Sequence, residues 1–412
     1  MKENCIFVAL DLPGYGGSGD PPDYTADTYL NIVALFICQM RKLLSKRFPD
    51  EEIGRVLVIG HDWGATIAYR LAAQAPQIAD RFILINSMFV EHTRENVRNE
   101  LLASQAMLRG WRKKPWRTRY TLLRKALHNL LPIFTQLLNS CYIFAFNLPW
   151  PMVAWLGYIG DYALVRLLHA YEYPQWPEAP AANEGSDRAT SPSKFLAWAN
   201  AQRVASLKAR KNIYLVATSV GPSGNTPGVS SDPSHPGQEY ITYDHTITAR
   251  ARDGGWPSKI RLYREGLGYE QWDLSLELRE ELEDIFLRAH LAVASGSHEK
   301  HNSSRHLRSP PPLDPALHVT PVSGGDLRCP TTVIWGLADP VLDPRLTLNG
   351  IGDYLPQHSQ VVTLSNVGHG VPHEPRGIEV LSKVILWFLT GEAENLGHVL
   401  KDIGYAKIEV DK

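Results

Sequence analysis

The sequence predicts an α/β protein built on a mostly parallel sheet and interrupted by a long helical insertion. Short runs of strand length, mainly apolar or β-branched, recur at residues 5–10, 56–59, 81–86, 327–335 and 360–364, the pattern of strands buried in a sheet. Helix-length segments separate the early runs: residues 28–46 alternate with helical period, and the alanine-rich residues 65–73 favour helix, so both fit as crossover connections. From about residue 90 to residue 327 the strand pattern stops, and basic, Trp-rich and Pro-rich helical stretches replace it.

The most informative stretch is residues 55–71, RVLVIGHDWGATIAYRL. Val56, Leu57, Val58 and Ile59 form the strand, Gly60-His61-Asp62-Trp63-Gly64 follows at once, and Ala68, Leu71 and Ala72 mark one apolar face of the helix beyond. Asp62 is thus placed at the apex of a sharp strand-to-helix turn. Such a turn asks for small residues two positions either side, and Gly60 and Gly64 supply them. A carboxylate there needs no base at neutral pH and can attack carbon directly to form an ester, with the helix N-terminus favouring the anion. The plainer alternative is that Asp62 caps the helix.

Gly60-His61-Asp62-Trp63-Gly64 resembles the nucleophile elbow of α/β-hydrolase-fold epoxide hydrolases, with aspartate for the usual serine, and nearly as well that of haloalkane dehalogenases. The resemblance implies an α/β-hydrolase fold with a mostly parallel sheet and a large helical cap, of the fungal large-cap type. Residues 11–19, DLPGYGGSG, resemble the loop after that fold's fourth strand; their glycine spacing matches neither a P-loop nor a dinucleotide fingerprint. On this comparison the first strands are missing, and with them the His-Gly-x-Pro segment that supplies half the oxyanion hole. The Trp63 N–H remains, and the loss of one such donor costs roughly 100-fold to 1,000-fold in rate. The implied organisation is core at residues 1–89, cap at 90–327, and core again at 328–412, with loose loops at 221–237 and 295–323.

Beyond the cap, Gly336-Leu337-Ala338-Asp339-Pro340 follows a strand at residues 329–335. Active-site groups gather at the carboxyl ends of strands in such sheets, and the family places its charge-relay acid there, which favours Asp339 over Asp343. An Asx turn ahead of Pro340 is the structural alternative. After the strand at residues 360–364, Gly368-His369 takes the family position of the base, with His373 as rival among fifteen histidines. The order Asp62, Asp339, His369 is that of the fold. Residues 378–390 read as a closing amphipathic helix, and the charged tail from Gly391 has no assignable role.

The resemblance implies attack by Asp62 on an epoxide carbon and hydrolysis of the resulting ester by water that His369 activates, its ring held by Asp339. Two cap tyrosines would protonate the leaving oxygen: Tyr263, and for the other Tyr162, with Tyr158 and Tyr173 as rivals. Trp63 would contact the substrate. No metal or cofactor is required, and the substrate is a small hydrophobic molecule. Haloalkane dehalogenation and a non-catalytic remnant are the alternative readings.

Composition sets outer limits. A chain of 412 residues, 44% hydrophobic, can bury a large core, as one big domain with an insertion or as two domains. A formal net charge of -1 leaves no basic field for nucleic acid. Cys5, Cys38, Cys141 and Cys329 are scattered singly and read as reduced, mostly buried thiols, not as a zinc site or disulfide scaffold. The apolar run at the start is too short for a signal peptide, which points to the cytoplasm. Residues 111–125 are basic and residues 130–156 apolar, a combination seen at membrane surfaces. Proline and amide residues interrupt the second stretch and make it a poor span, so a pair of cap helices over a hydrophobic pocket is preferred to membrane contact.

Overall fold

A computed structural model describes residues 5–15, 18–48, 54–158, 256–296 and 326–412. In chain order the elements are α1 (Ala26–Arg47), β1 (Leu57–His61), α2 (Trp63–Gln74), β2 (Arg81–Ile85), α3 (Val90–Leu108), α4 (Trp116–Asn139), α5 (Cys141–Phe146), α6 (Trp150–Tyr158), α7 (Trp256–Arg264), α8 (Leu276–Gly296), β3 (Thr331–Gly336), α9 (Pro344–Thr347), β4 (Gln360–Leu364), α10 (Pro375–Leu389), α11 (Leu396–Leu400) and β5 (Ala406–Asp411). They fall into two compact units, one of residues 1–33 with 143–270 and one of residues 34–142 with 271–412.

The second unit holds a five-stranded sheet in the order β1-β2-β3-β4-β5. The first four strands run parallel and β5 pairs antiparallel with β4. β2, β3 and β4 are buried at every position, which is why their sequences are continuous apolar or β-branched runs. β5 alternates half-buried and exposed residues, as an antiparallel edge strand with one wet face does. Ile83, Ile85, Ile334, Val362 and Leu364 on the strands pack against Val380, Val384 and Trp387 of α10 and Leu396 and Leu400 of α11. The amphipathic residues 375–389 thereby become the helix that covers this layer.

Polar anchoring lies at the amino ends of the strands. Arg81, which starts β2 and is fully buried, donates to Glu392 at 2.8 Å, to Thr332 Oγ1 at 3.0 Å, to Gln360 Oε1 at 3.1 Å and to the His358 carbonyl at 2.8 Å. Its guanidinium lies 4.9 Å from the Trp387 ring centroid. A buried cation needs this degree of pairing.

In the first unit the turn at Gly14 (φ +83°) passes against the Tyr24 ring, leaving no room for a Cβ. The Tyr24 N–H donates to Glu265 at 2.8 Å, and the Tyr24 carbonyl accepts from Leu267 N–H at 3.1 Å. Arg264 on α7 donates to the carbonyls of Phe146 and Leu148 at 2.5 and 2.7 Å, which fixes the α5–α6 connection beneath α7.

Several expectations are corrected. Residues 5–10 form no strand: they have no sheet partner among the described residues, and Ile6, Phe7 and Val8 are exposed. Apolar content predicted the run, but a strand exists only through its neighbour's hydrogen bonds. β1 is half-buried rather than covered on both faces, because it is the edge of the sheet, and Ile59 is 42% exposed. α4 continues through Pro132 as one helix. Of the four thiols, Cys38 and Cys329 are buried while Cys5 and Cys141 are exposed. Of the loops expected at residues 221–237 and 295–323, the first lies outside the described residues, as does the second beyond residues 295–296, which end α8 as helix.

Candidate active site

Four consecutive strands each deliver one polar group at the carboxyl end: Asp62 after β1, Asn86 after β2, Asp339 after β3 and His369 in the loop after β4. Asp62 has φ 52° and ψ -121°, a strained conformation for a non-glycine residue. Its N–H donates to the Ile85 carbonyl at 3.2 Å, and its own carbonyl accepts from Ala65 and Thr66 at 3.0 and 2.9 Å. Its side chain makes no cap hydrogen bond, so the helix-capping alternative falls, and the carboxyl retains 44% of its exposure. The turn is tight on one side only. A Cβ on Gly60 would meet the Gly64 carbonyl oxygen at 2.5 Å and the Ala65 nitrogen at 2.7 Å, whereas one on Gly64 would meet nothing within 4 Å. The need for a small residue holds at Gly60 and fails at Gly64.

His369 is 2% exposed. Its Nδ1 donates to Asp339 Oδ2 at 2.8 Å, and its Nε2 lies 3.4 Å from Asp62 Oδ1. The Asp339 side chain is wholly buried. Its Oδ1 accepts from the N–H groups of Val341 and Leu342 at 2.7 and 3.1 Å, while Oδ2 accepts from His369 and also from Asn86 Nδ2 at 2.6 Å. Asp339 therefore both makes the turn before Pro340 and holds the imidazole. The rival Asp343 caps α9 through Arg345 N–H and pairs with the Arg345 guanidinium. The rival His373 lies edge-on to His61, with centroids 6.3 Å apart.

Electrostatics follow from this geometry. Burial pushes the His369 pKa down, but the Asp339 and Asp62 carboxylates on its two nitrogens outweigh burial and raise it well above the ordinary histidine value. For Asp62, burial pushes the pKa up, and the adjoining His369, the His61 ring and the Trp63 N–H together pull it below the ordinary carboxylate range. Each shift favours the charged form of its group.

Two residues were missed by reading the sequence. Asn86 (φ 39°) bridges two strands: Oδ1 accepts from Gly336 N–H at 2.8 Å and Nδ2 donates to Asp339. His61, whose pKa falls to about 4 through burial and the charge on His369, stays neutral, so its Nε2–H donates to the His369 carbonyl at 2.8 Å. Asn86 carried a signal, since it ends the run RFILIN, but an asparagine at a strand end is ordinary turn chemistry.

Tyr263 belongs to the first unit, on α7, half-buried with its ring 5.0 Å from that of Phe146. Tyr162 and its rival Tyr173 lie outside the described residues, as does the side chain of Tyr158. Among the described residues no group of His, Cys, Asp and Glu is placed to hold a metal ion, and no helix is long and apolar enough to cross a membrane.

The parallel sheet, the turn bearing Asp62 after β1 and the strand-end order of acid and base define an α/β-hydrolase fold. Residues 2–193 match the alpha/beta hydrolase family. Among curated relatives, an uncharacterized protein of Mycobacterium tuberculosis is 38% identical over 88 residues, 21% of this chain and 23% of the relative. The AB hydrolase superfamily protein YfhM of Bacillus subtilis is 34% identical over 82 residues, 19% of this chain and 25% of the relative. The chain thus spans about a quarter of the length of the curated relatives it matches. Among solved structures, the epoxide hydrolase of Bacillus megaterium in complex with an inhibitor aligns over 92% of this chain and 82% of that one, at 15% identity and a TM-score of 0.38. Epoxide hydrolase VrEH1 from Vigna radiata aligns over 92% and 80%, at 16% identity and a TM-score of 0.37.

Proposed function

We propose that this chain opens an epoxide to a diol through an ester on Asp62, the activity implied by the resemblance of Gly60-His61-Asp62-Trp63-Gly64 to the epoxide hydrolase elbow. The observation that carries the reading is the convergence of Asp62 and Asp339 on the two nitrogens of one buried histidine. A carboxylate oxygen of Asp62 bonds to a ring carbon as the carbon–oxygen bond breaks, and the departing oxygen takes a proton from Tyr263, assisted by a second cap tyrosine for which Tyr162 is the candidate. Ester formation cancels the charge on Asp62. One of the two groups raising the His369 pKa is then gone, and once His369 has released its proton to solvent it can take another from water while Asp339 fixes the ring. The hydroxide adds to the ester carbonyl, supported by the Trp63 N–H, collapse releases the diol and restores the Asp62 carboxylate, and the Tyr263 phenolate regains its proton from solvent. The large-cap type and a small hydrophobic epoxide belong to the same reading.

The test is mass spectrometry of His369→Gln protein after incubation with a panel of epoxides. An added mass on the peptide carrying Asp62, absent in Asp62→Asn, is expected; no adduct with any epoxide refutes the proposal. Tyr263→Phe separates it from haloalkane dehalogenation, because only epoxide opening needs the phenolic proton.

A further inference from the structure

Helix α4 has two apolar faces, and among the described residues the fold buries one. Ala126 and Pro132 are buried, Ser104 Oγ donates to the Ala126 carbonyl at 3.2 Å, and Gln136 fastens the helix end to the Val341 carbonyl at 3.1 Å and the Asp343 N–H at 2.8 Å. The other face carries Trp116, Tyr120, Leu123, Leu127, Leu131, Phe134 and Leu138, every one between 37% and 74% exposed. At ~100° per residue these seven fall in one stripe roughly 80° wide, set about 100° around the helix from Ala126. The stripe runs nearly the whole 24-residue helix, about 36 Å.

Charge decides what such a stripe suits. Residues 101–160 contain eight Lys or Arg and no Asp or Glu, in a chain whose net charge is -1. The arginines flank the stripe: Arg117 and Arg124 on one side and Arg119 on the other, all exposed. A second copy of the same helix would bring like charges together, and an apolar protein groove would leave the arginines unmatched. An anionic bilayer takes both components, apolar side chains below the headgroups and cations among the phosphates. We propose that α4 docks this protein, lying in the plane of the interface, on an anionic lipid surface. This reading differs from the preference for a cap role drawn from sequence alone; helical spacing could not show that α4 bears one apolar face for packing and a second that is exposed. The proposal stands independently of the epoxide reading.

The experiment is co-sedimentation of the full chain with phosphatidylcholine vesicles, with and without about 30% phosphatidylserine. Binding to the anionic vesicles alone is expected, weakening as salt rises. Arg117→Ser/Arg124→Ser should weaken it about 25-fold, at roughly five-fold for each surface cation. Leu127→Gln/Phe134→Gln should abolish it while circular dichroism and the melting temperature stay at wild-type values, since both side chains are exposed. Quenching of tryptophan fluorescence by brominated lipid in the wild type reports insertion without any variant. Binding to neither vesicle, equal binding to both, unchanged binding by both double variants, or a dimer that Leu127→Gln/Phe134→Gln dissolves would each overturn the proposal.

Discussion

Replacing Gly60 and Gly64 one at a time by alanine tests the elbow most sharply, because the two substitutions are chemically identical and their surroundings are not. At Gly60 the added Cβ falls 2.5 Å from a backbone oxygen, whereas ordinary contact begins near 3.4 Å, so strand end and helix start must separate by about 0.9 Å. The obstructing atoms are backbone and cannot swing aside. Overpacking of this kind costs about 1–3 kcal/mol, or several degrees in melting temperature. The displaced unit carries Asp62, and a misplacement of about 1 Å costs on the order of 100-fold in rate. Gly64 lies in the first turn of α2 with open space around its Cβ position, so alanine there should stabilise by up to about 1 kcal/mol. Thermal unfolding by circular dichroism gives the first readout and the rate of ester formation on Asp62 the second. A Gly60→Ala protein that melts at or above the wild-type temperature would refute the steric account of the turn.

Glu392→Gln removes the charge partner of buried Arg81 and should destabilise by about 3 kcal/mol, the low end for a buried pair because Glu392 is 19% exposed. Urea unfolding measures it, and Asp62 alkylation should be unaffected, since Arg81 sits at the opposite end of the strands. The His61 pKa is depressed to about 4, so its contribution is present above the unfolded value near 6.5 and is lost as pH falls from there towards 4, ~3 kcal/mol at most. His61→Gln should flatten that limb of the stability profile. The His369 pKa is raised, so its contribution is complete below about pH 6.5 and disappears as pH rises through the folded value; His369→Gln should remove the alkaline decline. Asp62→Asn takes away one of the two carboxylates facing His369 and should lower its pKa, read from imidazole nitrogen shifts in a pH titration; an unchanged or higher value contradicts the geometry.

The strands legible in the sequence are those buried on both sides. β4 was predicted to the residue and β2 within one, since a continuous apolar run bounded by polar residues admits few other structures of that length. Pairing was not legible. Residues 5–10 look as strand-like as β2, yet what separates them is a neighbour elsewhere in the chain. The reverse error befell β5: AKIEVD alternates with a period of two, but its charges made it read as tail. Asp62, Asp339 and His369 could be singled out because each follows a strand and stands within two residues of a glycine or a proline. At Gly336 and Gly60 the reason is physical, because a Cβ on Gly336 would lie 2.3 Å from the Gly368 carbonyl, in the loop that carries His369.

Charge explains why Asn86 and His61 accompany the three predicted residues. Two carboxylates facing one histidine favour its protonated form, and in the proposed cycle that opposes turnover, since a protonated His369 cannot take a proton from water. Asn86 donates to the same Asp339 oxygen that accepts from His369, which draws electron density from that oxygen and moderates its pull on the proton. His61 is neutral and spends its N–H on the His369 carbonyl, so it holds the loop without adding a charge of its own. Asn86 holds the Asp339 carboxylate and His61 holds the His369 backbone, and neither adds a negative charge that would deepen the well that holds the proton. In the proposed cycle the large change in that well comes from Asp62, whose charge vanishes when the ester forms. On this account Asn86→Asp, which would place a further negative charge beside Asp339, should raise the His369 pKa and slow ester hydrolysis more than ester formation. Single-turnover measurements of the two steps across pH separate the effects, and an equal slowing of both would show that Asn86 acts through geometry alone.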